Sequence, residues 1–199
     1  MLTTQMTTAD GQRLEADIAI PDEAHPGGVV VCHPHPLYGG TRFNPMVDEL
    51  FAALPAAGFG TLRFDFRRGP GDGVAERLDV EAAIDELARH VGDGPIDLAG
   101  YSFGAAVALG ARDNRIGAIA AIAPPLGMVA VEPPLVPTFV LVPAHDQFCP
   151  PSDAEPVVGG WPNATSEVVE STDHFLGGRT RWIADRVTAW LMRARDDLR

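Results

Sequence analysis

Ile96-Asp97-Leu98-Ala99-Gly100-Tyr101-Ser102-Phe103-Gly104-Ala105-Ala106-Val107-Ala108-Leu109-Gly110-Ala111 is the stretch on which the fold turns. Ile96–Ala99 is a short apolar run of the kind buried on both faces of a parallel sheet. It leads directly into Gly100-Tyr101-Ser102-Phe103-Gly104, and an apolar helix is expected from Phe103 to Ala111. Strand, sharp turn and helix in that order give a Gly-x-Ser-x-Gly match its meaning, because the turn lifts the serine hydroxyl clear of the sheet. The flanking glycines avoid collisions with neighbouring backbone, and the helix N-terminus adds positive potential beside the serine. The bare pattern arises easily by chance, and a serine N-cap on an ordinary strand-to-helix turn would also produce it.

Similar strands recur along the chain. Gly28–Cys32, Thr61–Phe64, Ile116–Ile122 and Phe139–Val142 are short apolar runs, with Thr165–Val169 a weaker candidate. Residues 2–8 and 13–20, joined at Asp10-Gly11, read as an antiparallel hairpin. Between the strands, helical spacing places Met46, Val47, Leu50, Phe51 and Leu54 on one face, and Val80, Ile84, Leu87, Ala88 and Val91 on another. Ile183, Val187, Trp190, Leu191 and Ala194 repeat it near the C-terminus. Strands alternating with such helices predict an α/β fold with a mostly parallel sheet covered on both faces. With no repeat and no long linker, one domain over residues 1–199 is expected.

Composition narrows the functional classes. The 199 residues are 46% hydrophobic, which excludes a disordered chain despite a net charge of −12. That acidity argues against nucleic acid and anionic membranes as partners, since both require a positive footprint. All 15 basic residues are arginine, so no lysine-based chemistry is available. The 21 glycines and 18 prolines show no period and fall between apolar runs, as turn residues do. No basic-then-apolar leader opens the sequence and no apolar run is long enough to span a bilayer, so a cytoplasmic protein is expected. Two cysteines, Cys32 and Cys149, are too few for a disulfide framework.

A serine nucleophile needs a base, and the base an orienting carboxylate. Asp146 follows the strand Phe139–Val142, and His174 lies in a loop before the last helix. Both would share the sheet edge with Ser102, where open α/β folds bind ligands. Asp173 and Asp153 are rival carboxylates, although Asp173 adjoins His174 and neighbouring side chains rarely face each other. The loop His33-Pro34-His35-Pro36-Leu37-Tyr38-Gly39-Gly40-Thr41 is the most unusual stretch. Its His-x-His pair invites a zinc reading. With no third ligand near and prolines alternating, a rigid loop lending an N–H to an oxyanion hole is preferred, and no metal or cofactor is expected. Pro34 and Pro36 have no N–H, whereas Leu37 and Tyr38 do. The other donor would be the Phe103 N–H, immediately after the serine.

With the elbow, the His-Pro-His-Pro-Leu-Tyr-Gly-Gly-Thr loop, Leu62-Arg63-Phe64-Asp65-Phe66-Arg67 and Thr172-Asp173-His174-Phe175 in order, the chain resembles the α/β-hydrolase superfamily. It is most similar to the small, lidless bacterial branch close to dienelactone-hydrolase-like proteins. The resemblance implies Ser102 as nucleophile, His174 as general base and then acid, Asp146 as its orienter, and the Leu37 and Phe103 N–H groups as the oxyanion hole. His35, Tyr38, Phe148 and Phe175 are expected to line the substrate site. Dienelactone hydrolases proper use cysteine where this chain has Ser102, and the segment Phe66-Arg67-Arg68-Gly69-Pro70-Gly71-Asp72-Gly73 departs from the Phe-Arg-Gly turn of relatives.

The expectation is a serine hydrolase of small carboxylic esters, thioesters or lactones, working through an acyl-enzyme on a small-molecule acyl substrate. The alternatives are a catalytically silent binding protein on this fold, or acyl transfer or peptide cleavage at the same triad. The connection Ala123–Pro137, with Pro124, Pro125, Pro133, Pro134 and Pro137, leaves no room for a cap domain. Oligomeric state stays open, a homodimer included.

Overall fold

Eight strands form one sheet in a computed structural model that describes residues 1–69, 71–128 and 131–196. Pro70 and positions 129 and 130, within two loops singled out above, lie outside the described residues. In chain order the elements are β1 (Leu2–Thr7), β2 (Arg13–Ala19), β3 (Gly28–Cys32), α1 (Pro45–Ala56), β4 (Gly60–Phe64), α2 (Glu76–Val91), β5 (Ile96–Tyr101) and α3 (Phe103–Gly110). Then follow β6 (Ile116–Ile122), β7 (Thr138–His145), α4 (Pro151–Val158), β8 (Ala164–Asp173) and α5 (Thr180–Asp196). The sheet order is β1-β2-β4-β3-β5-β6-β7-β8. β1 and β2 are antiparallel to their neighbours, and every pairing from β4 to β8 is parallel. This is the α/β-hydrolase fold, with no cap among the described residues between β6 and β7.

The all-apolar strands are central because helices bury both of their faces. Val30, Leu62, Leu98 and Val140 pack under α2, α3 and α4. Val29, Val31, Ala99, Phe139 and Leu141 pack under α1 and α5. Arg195 clamps α5 to the sheet: its Nε donates to Asp97 Oδ2 at 3.0 Å, and Nη2 donates to the Gly28 and Pro95 carbonyls. Among the described residues no helix is long and apolar enough to cross a membrane.

β5 and β7 run past their expected ends, to Tyr101 and His145, and two elements differ more. α4 was not anticipated, because Pro150, Pro151 and Pro156 disguise it; Pro151 sits at its first position, where the missing N–H costs nothing. β8 runs to Asp173 rather than Val169. It is an edge strand with mostly exposed side chains, so only Val169 and Thr172 mark the buried face. That extension delivers the chain to His174.

The loop after β4 is held by acids at the start of α2. Buried Asp79 accepts from the Arg67 N–H at 2.9 Å and from Arg67 Nε at 2.8 Å, while Glu76 accepts from the Gly73 N–H at 3.0 Å. This fixes the floor against which the loop after β3 packs.

Candidate active site

Ser102 lies at the tip of the β5–α3 turn with φ 54°, ψ −118°, a left-handed conformation that a non-glycine residue adopts only under constraint. The constraint is visible in its neighbours. The Ser102 N–H donates to the Ile122 carbonyl at 2.8 Å, and the Ala105 and Ala106 N–H groups donate to the Ser102 carbonyl. A Cβ on Gly104 would lie 2.5 Å from the His33 carbonyl oxygen and closer still to that of Cys32. On Gly100 it would lie 2.6 Å from Ala105 Cα. Both flanking glycines are therefore required by backbone packed on backbone. The other non-glycine residues with positive φ among those described, Ala123, Ser171 and Leu176, lie beside the same sheet edge.

Ser102 Oγ stands 2.9 Å from His174 Nε2, and His174 Nδ1 stands 2.8 Å from Asp146 Oδ2. An ionised carboxylate only accepts, so Nδ1 carries the ring proton and Nε2 is left to accept the serine O–H. Asp146 follows β7 and is buried, and its Oδ1 accepts from the Phe148 and Cys149 N–H groups at 2.8 and 3.1 Å. Each Asp146 oxygen thus has a separate task. The rival acids are turned elsewhere: Asp173 Oδ1 accepts from the Phe175 N–H, and Asp153 Oδ1 from the Ser152 hydroxyl.

Sequence reading missed Tyr101. Its buried hydroxyl donates to the His174 carbonyl at 2.8 Å, pinning the histidine loop to the elbow strand. Burial pushes the phenol up to about 12, so it remains a donor at neutral pH. The signal was a tyrosine ending an all-buried strand, where a phenolic O–H needs a partner. Gln147 adds a longer contact, accepting from the His174 N–H at 3.4 Å.

The His33–Gly40 loop departs from expectation in its donors. The Leu37 N–H, the expected oxyanion donor, donates instead to His35 Nδ1 at 3.1 Å, because Pro36–Tyr38 form a 3-10 turn capped by that side chain. The Tyr38 N–H is also taken, donating to the His35 carbonyl at 3.0 Å. The N–H groups of His35 and Phe103 make no hydrogen bond among the described residues. His35 itself has both ring nitrogens on backbone, with Nε2 3.2 Å from the Gly71 carbonyl oxygen, and its ring lies 4.6 Å from that of Phe103. His33 is buried, with Nε2 accepting from the Phe66 N–H at 2.9 Å and Nδ1 2.5 Å from the Pro34 carbonyl. The His-x-His pair therefore fixes loops to one another, and among the described residues no three His, Cys, Asp or Glu side chains converge as metal ligands.

Phe148 and Phe175 flank His174 with ring centroids at 4.5 and 5.8 Å. Phe175 is 69% exposed and Tyr38 is 88% exposed, so the site has an open apolar rim. Cys149, buried behind Asp146, has its thiol pushed up by burial.

A family model described as the alpha/beta hydrolase family matches residues 29–198. An uncharacterized protein of Rickettsia prowazekii is 29% identical over 184 residues, covering 82% of this chain and 77% of that one. Among solved structures, a protein of unknown function from Agrobacterium tumefaciens, described as a putative alpha/beta hydrolase, superposes with a TM-score of 0.89 at 25% identity, over 98% of this chain and 97% of that one. An alpha-beta serine hydrolase homologue from Coxiella burnetii gives 0.82 at 28% identity, over 94% and 96%. A Xanthomonas campestris serine hydrolase without lid gives 0.83 at 24% identity, over 96% and 94%, a likeness of fold.

Proposed function

From the premise that this chain belongs to the alpha/beta hydrolase family, we propose that it is a serine hydrolase cleaving small carboxylic esters, thioesters or lactones. The observation that carries the reading is the unbroken chain from Ser102 Oγ through His174 to Asp146, at 2.9 and 2.8 Å. His174 Nε2 takes the Ser102 proton as Oγ bonds to the substrate carbonyl carbon. The carbonyl π electrons move to oxygen, and the Phe103 N–H meets the resulting oxyanion. The second donor is the His35 N–H, since the Leu37 N–H is engaged by the His35 ring. Such a donor is worth about 3–4 kcal/mol. The imidazolium, steadied by Asp146, gives its proton to the leaving oxygen or sulfur as that bond breaks. Water, deprotonated by His174, then attacks the acyl-enzyme carbonyl, and His174 passes that proton to Ser102 Oγ as the Oγ–acyl bond breaks, releasing the acid and free Ser102.

The short proline-rich connection after β6 and the exposed Tyr38 and Phe175 suit soluble acyl groups rather than lipid droplets. Hydrolysis of p-nitrophenyl acetate and butyrate, with fluorophosphonate labelling in parallel, tests the assignment. Ser102→Ala abolishes both while the chain stays folded. Turnover surviving that change would sink the assignment, and a folded wild-type chain that neither turns over nor labels would favour a silent binding protein.

A further inference from the structure

Arg77, in α2, is a charge with no carboxylate partner among the described residues. It is half-buried, and its guanidinium rests on the last turn of α3. Gly110 permits that approach: a Cβ there would stand 2.7 Å from Arg77 Nη2 and 2.8 Å from Nε. Glycine is a poor helix residue, so the position serves the guanidinium rather than the helix. A guanidinium keeps its charge at any relevant pH, and a buried one normally sits on a carboxylate. Arg77 pairs with no carboxylate among the described residues, and its Nε–H is buried without an acceptor. Nor does it cap α3, because Arg112 Nη1 already donates to the Leu109 and Ala111 carbonyls at 2.9 and 2.8 Å.

Arg77 and Arg112 line a cavity of about 490 Å³, which Leu126, Val131 and Val157 complete with hydrocarbon. We propose that this cavity is a second ligand site, for a small organic monocarboxylate held by the two guanidiniums with its hydrocarbon body against those three side chains. A guanidinium fork matches the two oxygens of a carboxylate. The apolar side chains add a contact that no inorganic anion can use. Glu132 stands 3.7 Å from Arg112 and is 89% exposed, a loose pair at the rim. Its screened charge adds only a small bias toward a ligand with one negative charge, and the apolar contact is what sets a monocarboxylate apart from phosphate. The site is distinct from Ser102, lying at the far end of α3, about 10 Å along the helix. It is therefore independent of the hydrolase reading.

Titrating the nitrogen-15-labelled full chain with sodium butyrate, and following the Arg77 Nε–H and Gly110 amide signals, tests it directly. Saturable shifts at those signals are expected in the millimolar range, with acetate and inorganic phosphate binding more weakly than butyrate. Arg77→Met weakens butyrate binding about tenfold or more. Gly110→Ala does the same by displacing the guanidinium, and because alanine favours the helix this variant keeps its fold. Absence of saturable shifts, butyrate binding unchanged in Gly110→Ala, or phosphate binding as tightly as butyrate would each overturn the proposal.

Discussion

Replacing Asp146 by asparagine should silence the enzyme without unfolding it, and the structure says why. Asp146 Oδ1 accepts from the Phe148 and Cys149 N–H groups, and Oδ2 accepts from His174 Nδ1–H. An amide has one accepting oxygen, and the two backbone donors hold it on their side. The introduced NH₂ group therefore points at His174 Nδ1. Two donors cannot face each other, so the imidazole proton moves to Nε2. In that tautomer Nε2 donates toward Ser102 Oγ and cannot take its proton. The expected loss in kcat is about ten-thousand-fold, some 5 kcal/mol of transition-state stabilisation. Stability should change by about 1 kcal/mol or less, because every hydrogen bond keeps a donor and an acceptor. Asp146→Ala behaves differently: three N–H groups, two of them buried, lose their acceptor, and stability falls by about 3 kcal/mol or more. Hydrolysis of p-nitrophenyl acetate and urea unfolding measure the two effects. Asp146→Asn activity within tenfold of wild type would refute the reasoning, and so would a stability loss matching that of the alanine variant.

Tyr101→Phe removes the hydroxyl that donates to the His174 carbonyl; kcat should fall about tenfold with KM unchanged, and stability by about 1–2 kcal/mol. A raised KM with unchanged kcat would remove Tyr101 from the positioning of His174. Gly104→Ala sets a methyl against two backbone carbonyls of the β3 loop. Overpacking of that kind costs about 1–3 kcal/mol or more and outweighs the better helix propensity, so the urea midpoint should drop. Burial holds His33 below the ordinary histidine range. A folded value below the unfolded one means its stabilisation is complete above about pH 6.5 and is lost as pH falls through the folded value. Unfolding free energy should therefore decline on acidification below that point, and less steeply in His33→Asn; equal slopes would refute it.

Much of this molecule was legible in one dimension because its signals are local. Strand, turn and helix around Ser102 are read from adjacent residues, since backbone sterics and burial on both sheet faces act within a few positions. The parallel core strands were visible for the same reason. α4 was hidden because proline's usual meaning reverses at a helix's first position. β8 was under-read because an exposed edge strand carries little apolar pattern.

Chain order nominated Ser102, Asp146 and His174, and preferred Asp146 to Asp173 only because side chains adjacent in sequence rarely face each other. Only the tertiary structure turns Asp173 onto the Phe175 N–H and leaves Asp146 facing the imidazole. The His33–Gly40 loop shows the same division. The sequence named residues able to donate, and the fold spent the Leu37 and Tyr38 N–H groups within the loop's own turn. Tyr101 and Arg77 gain their meaning from partners, present or missing, far along the chain. The sequence determines which groups exist and what local backbone carries them. A hydrogen bond or charge contact acts over a few ångströms of space, and which residues meet within that reach is decided by how the sheet and its helices pack.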